Sequence, residues 1–150
     1  LSYTQIYSFL PDIWSGLGMS ASYSYTESEI QTQTTLGGAS VEQTLPGLSE
    51  NVVAATVFWE YEDFETRLSV RWRDAFVSKQ VAVNEQVVNF DSETVIDYQA
   101  SYNINENLGM LFQVNNLTDE PTKSYFGSEA QTGTIQYFGR QIFLGVTYSL

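Results

Sequence analysis

Polar side chains occupy alternate positions along three stretches of the chain, FETRLSVRWR, TVIDYQASYN and LGMLFQVNN. The set is Arg67, Arg71, Arg73, Asp97, Gln99, Gln113 and Asn115. A guanidinium presents a planar fork of donors that suits carboxylates and paired hydroxyls. The pattern therefore predicts a common polar surface, which is either an ion-paired structural network or a series of hydrogen-bond donors along a substrate route.

Several kinds of chemistry are excluded by composition. The 150 residues contain no Cys and no His, which removes thiolate catalysis, His-based triads and the usual zinc and iron ligands. No Ser stands beside a plausible base, so we expect neither enzymatic activity nor a cofactor. No metal site is predicted, although calcium bound through carboxylates stays open. Asp and Glu number 18 against 6 Lys and Arg, and the net charge of −12 argues against a nucleic-acid partner.

Apolar residues alternate with small or polar ones along much of the sequence, the pattern of strands with two unlike faces. Six such stretches and a weaker opening fragment, LSYTQ, predict an all-β fold. We expect an antiparallel meander of about seven strands, the first of them cut short. The apolar positions chosen to represent one face are Leu17, Met19, Val57, Val70, Ile96, Phe112, Leu144 and Val146.

The connections between these strands alternate in length. Short ones occur around FLPDIW, at Glu62-Asp63 and at NINEN, whereas long ones cover about 27–50, 74–93 and 118–138. Short connections would thus meet at one end of the sheet and long ones at the other. The long connections are polar and acidic, which favours their interpretation as mobile loops.

Three features favour a membrane β-barrel over a soluble β-sandwich. The polar faces carry mostly Gly, Ser, Thr, Gln and Asn instead of charges. Aromatic residues gather near both ends of the apolar stripes, as the two interfaces of a bilayer require. Each stripe spans about nine residues, close to the roughly 9–11 that a tilted strand needs to cross the hydrocarbon. A complete eight-stranded outer-membrane barrel with a structural or adhesion role and a soluble carbohydrate-binding sandwich stay as alternatives.

Four blocks carry a resemblance to a known family: FLPDIWSGLGMSASYSYTESE, LPGLSENVVAATVFWEYEDFETRLSVRWRDAF, VNNLTDEP and YFGRQIFLGVTYSL. In this order they resemble the C-terminal barrel segment of TonB-dependent receptors, in particular the Xanthomonas/Caulobacter-type subgroup, over nearly all of the sequence. The resemblance implies that residues 1–150 are the C-terminal part of a 22-stranded barrel around a plug, with the plug and the N-terminal strands outside this sequence. Leu150 departs from the family's usual aromatic end, while Tyr148 keeps an aromatic residue two places earlier.

The function implied by this resemblance is TonB-dependent uptake of a scarce nutrient, an oligosaccharide or a ferric siderophore, across the bacterial outer membrane. The implied partners are outer-membrane lipid and lipopolysaccharide, the remaining barrel and plug, the TonB complex through the missing N-terminal part, and the small-molecule substrate. Short turns of such barrels face the periplasm, so the C-terminus would be periplasmic. The polar set would face the lumen and the apolar set the lipid, and Tyr125, Phe126, Tyr137 and Phe138 would be aromatic residues of an extracellular loop.

Overall fold

The computed structural model describes residues 1–33, 40–81 and 87–149, which form three antiparallel sheets. The strands are β1 (Ser2–Ile6), β2 (Leu17–Tyr25), β3 (Ile30–Gln33), β4 (Ser40–Gln43), β5 (Asn51–Tyr61), β6 (Phe64–Arg73), β7 (Phe76–Val81), β8 (Val87–Phe90), β9 (Glu93–Asn105), β10 (Leu108–Asn115), β11 (Thr122–Phe126), β12 (Thr132–Gln136) and β13 (Gln141–Tyr148). A single 3-10 turn at Asp12–Gly16, absent from the sequence prediction, joins β1 to β2. Within the described ranges, no helix is long and apolar enough to cross a membrane.

The largest sheet has seven strands in the order β1-β2-β5-β6-β9-β10-β13, which confirms the predicted antiparallel meander. Tight turns at 62–63 and 106–107 join β5 to β6 and β9 to β10. Glu62 has a φ of 50°, the left-handed conformation that a two-residue turn often requires. The three long connections all leave from the opposite end of the sheet, as predicted.

The seven-stranded sheet is a single layer whose apolar side chains lack a protein core to cover them. Val114, 6% exposed, is the one buried hydrophobic residue among those that the structure describes. Leu144 and Val146 on β13 are 72% and 65% exposed, respectively. A soluble domain buries such a face against a second layer. This sheet therefore needs another apolar phase to cover it.

The long connections contain paired strands in their described parts, a regular structure that the prediction of mobile loops did not include. β3 and β4 form a hairpin, while β7, β8, β11 and β12 form a four-stranded sheet in the order β12-β11-β8-β7. Short runs such as FVSKQV, VVNF and TKSYF are rich in β-branched and aromatic residues, which favour strands. The composition of each long connection as a whole is acidic, so these short strand-forming runs are not apparent from it.

Candidate functional site

The predicted polar residues all lie on one face of the seven-stranded sheet. Directly opposed residues of antiparallel neighbours share a face, and Arg67 opposes Gln99, which in turn opposes Gln113. The remaining members, Arg71, Arg73, Asp97 and Asn115, are offset from these by even numbers of residues along the same three strands. We call this surface the polar face.

Among the described residues, three ion pairs cross or follow the polar face. Arg71 Nη2 lies 3.1 Å from Asp97 Oδ2, and Arg73 Nη2 lies 2.7 Å from Glu93 Oε2. Arg67 pairs with Glu65, two residues away on its own strand. The Arg71 side chain is 63% exposed, and pairs of that exposure contribute only about 0–1 kcal/mol to stability. Two of these pairs, Arg71–Asp97 and Arg73–Glu93, join β6 to β9 across the polar face.

Asp97 also fixes the chain where β10 ends. Its Oδ1 accepts a hydrogen bond from Asn116 N at 3.0 Å. The Asn116 side chain then closes a turn, because its Oδ1 accepts from Glu120 N at 2.8 Å and its Nδ2 donates to Glu120 O at 3.1 Å. Asn116 has a φ of 54°, a conformation that Asn tolerates well. The Asp97 carboxylate thus joins the polar face to the first residue of the connection between β10 and β13.

Sequence reasoning missed this role of Asn116. It used VNNLTDEP only as one of the blocks that carry the family resemblance. The available signal was the run NNLTDEP, since Asn, Asp and Pro in close succession are typical of a turn. Gln113 and Asn115, by contrast, were predicted together and are in contact, with Gln113 Nε2 donating to Asn115 Oδ1 at 2.7 Å.

Two shallow depressions flank Arg71 near the long-connection end of the polar face, and both include Val95. The first extends toward Arg73 and Glu93. The second extends toward Asp97 and is bordered by Phe138, whose ring belongs to the connection before β13. Arg71 is therefore the cation shared by both depressions, and only one hydrogen bond of its guanidinium, to Asp97, is seen in the described part of the chain.

The other face carries all the predicted lipid-facing residues. Leu17, Phe112 and Leu144 lie in one row across the sheet, and Met19 and Val57 lie in the next. Val70 and Ile96 oppose each other in a further row, and Val146 opposes Met110. We call this surface the apolar face. The register places these side chains together, and their contact with lipid stays a prediction.

Aromatic residues cluster on the apolar face near the short turns. Trp59 stacks on Tyr61 with ring centroids 6.1 Å apart and meets Phe64 edge-on at 5.7 Å. Trp59 Nε1 also donates to Ile13 O at 2.7 Å, which fixes the 3-10 turn against β5. An apolar ring with a polar tip is suited to a surface that is partly apolar and partly wet.

The predicted loop aromatics form two sequence-adjacent pairs that differ in exposure. Tyr125 and Phe126 are half-buried on β11, whereas Tyr137 and Phe138 are each 70% exposed after β12. Of these four residues, Phe138 reaches the depression beside Arg71. Groups of three or more carboxylates able to hold a metal ion are not found among residues 1–33, 40–81 and 87–149.

Comparison with protein families agrees with this architecture. Residues 1–117 match the model of the TonB dependent receptor-like β-barrel family. Searches of curated proteins and of solved structures gave no match. The family consists of transport receptors of the bacterial outer membrane that work with TonB. Because the match covers more than half of the sequence, the chain belongs to the TonB dependent receptor-like β-barrel family.

Proposed function

We propose that residues 1–150 are the C-terminal part of the barrel wall of a TonB-dependent receptor, with the plug and the other strands supplied by sequence outside this chain. The observation that carries the proposal is the single-layer sheet, which has an ion-paired polar face and an uncovered apolar face. A soluble sandwich would cover its apolar side chains with a second sheet. Here Leu144 is 72% exposed.

The two faces then have different partners. The apolar face contacts outer-membrane lipid, and the polar face lines the lumen next to the plug. The long connections lie outside the cell near lipopolysaccharide, the short turns lie in the periplasm, and the C-terminus is periplasmic. The length sorting of the connections supports this orientation.

The cargo is a small polar nutrient, an oligosaccharide or a ferric siderophore. The net charge of −12 favours a neutral oligosaccharide, because an anionic siderophore would be repelled by the acidic connections. Arg71 is the residue of the described polar face best placed to meet cargo, since both depressions include it. Its free donors suit paired hydroxyls or carboxylate oxygens.

Uptake of labelled oligosaccharides and ferric siderophores by cells carrying the full-length receptor tests this proposal. We expect Arg71→Ala to reduce uptake, and Arg71→Lys to restore little, because Lys keeps the charge but lacks the planar fork. Arg140→Ala, which removes an exposed arginine that lines neither depression, is the matched control. Unchanged uptake by Arg71→Ala at normal receptor levels would remove Arg71 from the transport route. Failure of the wild-type receptor to transport either cargo class would contradict the cargo assignment.

A further inference from the structure

The hairpin formed by β6 and β9 continues into β7 and β8 after a break of two residues on each strand. Arg73 opposes Glu93 before the break, and Phe76 opposes Phe90 after it, so the register is unchanged. The break itself consists of Asp74-Ala75 on one strand and Asp91-Ser92 on the other. The two strand pairs therefore belong to one long hairpin with a joint in its middle.

Aspartate side chains replace ladder hydrogen bonds at this joint. Asp74 Oδ1 accepts from Ala75 N at 2.9 Å, and Asp91 Oδ1 accepts from Ser92 N at 2.8 Å. Each carboxylate thus satisfies the next backbone donor locally, as Asp commonly does in turns. A bend after Asp74 leaves these two donors paired. Asp74 itself is fixed to β5 and its preceding connection, because its N donates to Asn51 O at 2.9 Å and its O and Oδ2 accept from Ser49 Oγ at 2.8 Å and Asn51 Nδ2 at 3.1 Å.

The part beyond the joint is tied to a second long connection. Tyr125 of β11 opposes Asn89 of β8 in an antiparallel ladder. Two further backbone bonds extend this pairing, from Asp91 N to Lys123 O at 3.0 Å and from Gly127 N to Val87 O at 3.1 Å. The connection between β6 and β9 and that between β10 and β13 therefore share one sheet.

The Arg73–Glu93 ion pair of the seven-stranded sheet contacts residues of both connections. The Arg73 guanidinium carbon lies 4.8 Å from the ring centroid of Phe76, which stacks on Phe90 at 5.1 Å. Glu93, the partner of Arg73, accepts a hydrogen bond from Thr122 Oγ1 at 3.1 Å. The Arg73–Glu93 pair thus holds β7 through a cation–π contact and β11 through a hydroxyl.

We propose that β7, β8, β11 and β12 form a single gate over the long-connection end of the polar face, hinged at Asp74-Ala75 and Asp91-Ser92 and latched by the Arg73–Glu93 pair. On the side of β11 and β12, the chain enters and leaves the gate through residues with positive φ, Asp119 and Gly139. The gate rests on the proposed function, because it controls the access of cargo to Arg71. Both connections open together, and opening also breaks the hydrogen bond from Gly47 N, in the connection between β2 and β5, to Val77 O at 2.7 Å.

Hydrogen exchange of the full-length receptor in lipid, without cargo, tests this coupling. Phe76→Ala removes an aromatic pair and the cation–π contact in one connection. If the gate opens as a unit, amide exchange should rise about three- to tenfold in 122–126 and 132–136, which belong to the other connection. Phe143→Ala, on the polar face of β13 outside the gate, should leave these amides unchanged. Acceleration confined to 76–78 and 87–90 would overturn the proposal.

Thr122→Val provides the reciprocal test from the other connection. It removes the hydrogen bond to Glu93 while keeping a β-branched side chain of similar size. Exchange in 76–78 and 87–90 should then rise together with exchange in 122–126, since coupling acts equally in both directions. Unchanged exchange in 76–78 and 87–90 would show that the connections open independently.

Crosslinking relates the gate to transport, and residues 1–150 contain no cysteine that would compete with an introduced pair. A short thiol crosslink between Asn89→Cys and Tyr125→Cys joins parts that move together, so uptake should persist. The same crosslinker between Glu93→Cys and Thr122→Cys fastens the gate to the wall and should stop uptake until it is cleaved. Blocked uptake with the first pair, or free uptake with the second, would contradict the gate. If the wild-type receptor transports no cargo, the proposed function fails while the exchange result still decides the gate.

Discussion

Leu144→Arg tests the assignment of the apolar face most directly. Leu144 is the fourth of the eight residues of β13, opposes Phe112 and is 72% exposed. Eight residues at about 3.3 Å each span roughly 26 Å, so the fourth lies close to the middle of a bilayer core about 30 Å thick. A lipid-facing Arg at the midplane costs about 2–4 kcal/mol. That cost lowers the folding equilibrium constant by about 30- to 700-fold.

Two matched variants separate the face of the residue from its depth. Phe143→Arg changes the next residue, which lies on the polar face and is 50% exposed, and it should cost far less. Tyr148→Arg changes the last residue of β13 on the apolar face and should cost only about 0–1 kcal/mol, because it lies near an interface.

Urea unfolding of the full-length receptor in lipid vesicles measures all three variants. The folded fraction is read from the altered gel migration of unheated samples, and the shift of the midpoint gives the change in free energy. A Leu144→Arg receptor as stable as the wild type would refute a lipid-facing β13. A larger loss for Phe143→Arg than for Leu144→Arg would mean that the two faces are reversed.

Three further perturbations have definite expected results. Gly18→Ala would place a Cβ 2.2 Å from the Phe58 ring and should cost about 1–3 kcal/mol of stability through overpacking. Urea midpoints should show this cost, and adding Phe58→Ala should relieve it. Asp97→Ala leaves Asn116 N without its acceptor, so we expect a loss of about 1–3 kcal/mol and faster proteolysis at 116–121 than in Asp97→Asn. Burial, followed by nearby acidic side chains, raises the pKa of Tyr125 above 10.0. The protonated Tyr125 side chain therefore contributes its full stabilisation below pH 10, and this stabilisation is lost as the pH rises through the raised pKa of the folded state. A tyrosinate absorbance titration, compared with Tyr125→Phe, should detect the raised pKa.

Alternation, together with the sorting of the connections by length, was sufficient to predict the seven-stranded sheet and the residues that share each of its faces. The reason is physical: side chains of a strand point alternately to two sides, so parity along each stretch fixes which residues can share a surface. Arg67 and Gln99 could be grouped in this way before their opposition in the ladder was known. The turn at 62–63 was equally clear, because two alternating stretches meet there with opposite parity.

The four-stranded sheet could not be predicted in the same way. Its central pairing joins Asn89 to Tyr125, which are far apart in sequence, and neither strand exceeds five residues. Such short strands depend on their neighbours more than on their own composition. The connection between β6 and β9 and that between β10 and β13 meet because β9 and β10 are adjacent in the seven-stranded sheet. This proximity exists only after that sheet has formed. The depression shared by Arg71 and Phe138 depends on the same assembly.

The meander order also determines how the wall can be built and cut. Every strand lies beside the one that precedes it in the wall, with no crossover, so each can add to an edge that already exists. Tight turns close at a small entropic cost, and even the long connections add little, because that cost grows only slowly with length. β2 and β5 remain joined by nine opposed residue pairs whether or not the chain between them is continuous. A cleavage site or an epitope tag in the connection between β2 and β5 would therefore leave the wall intact.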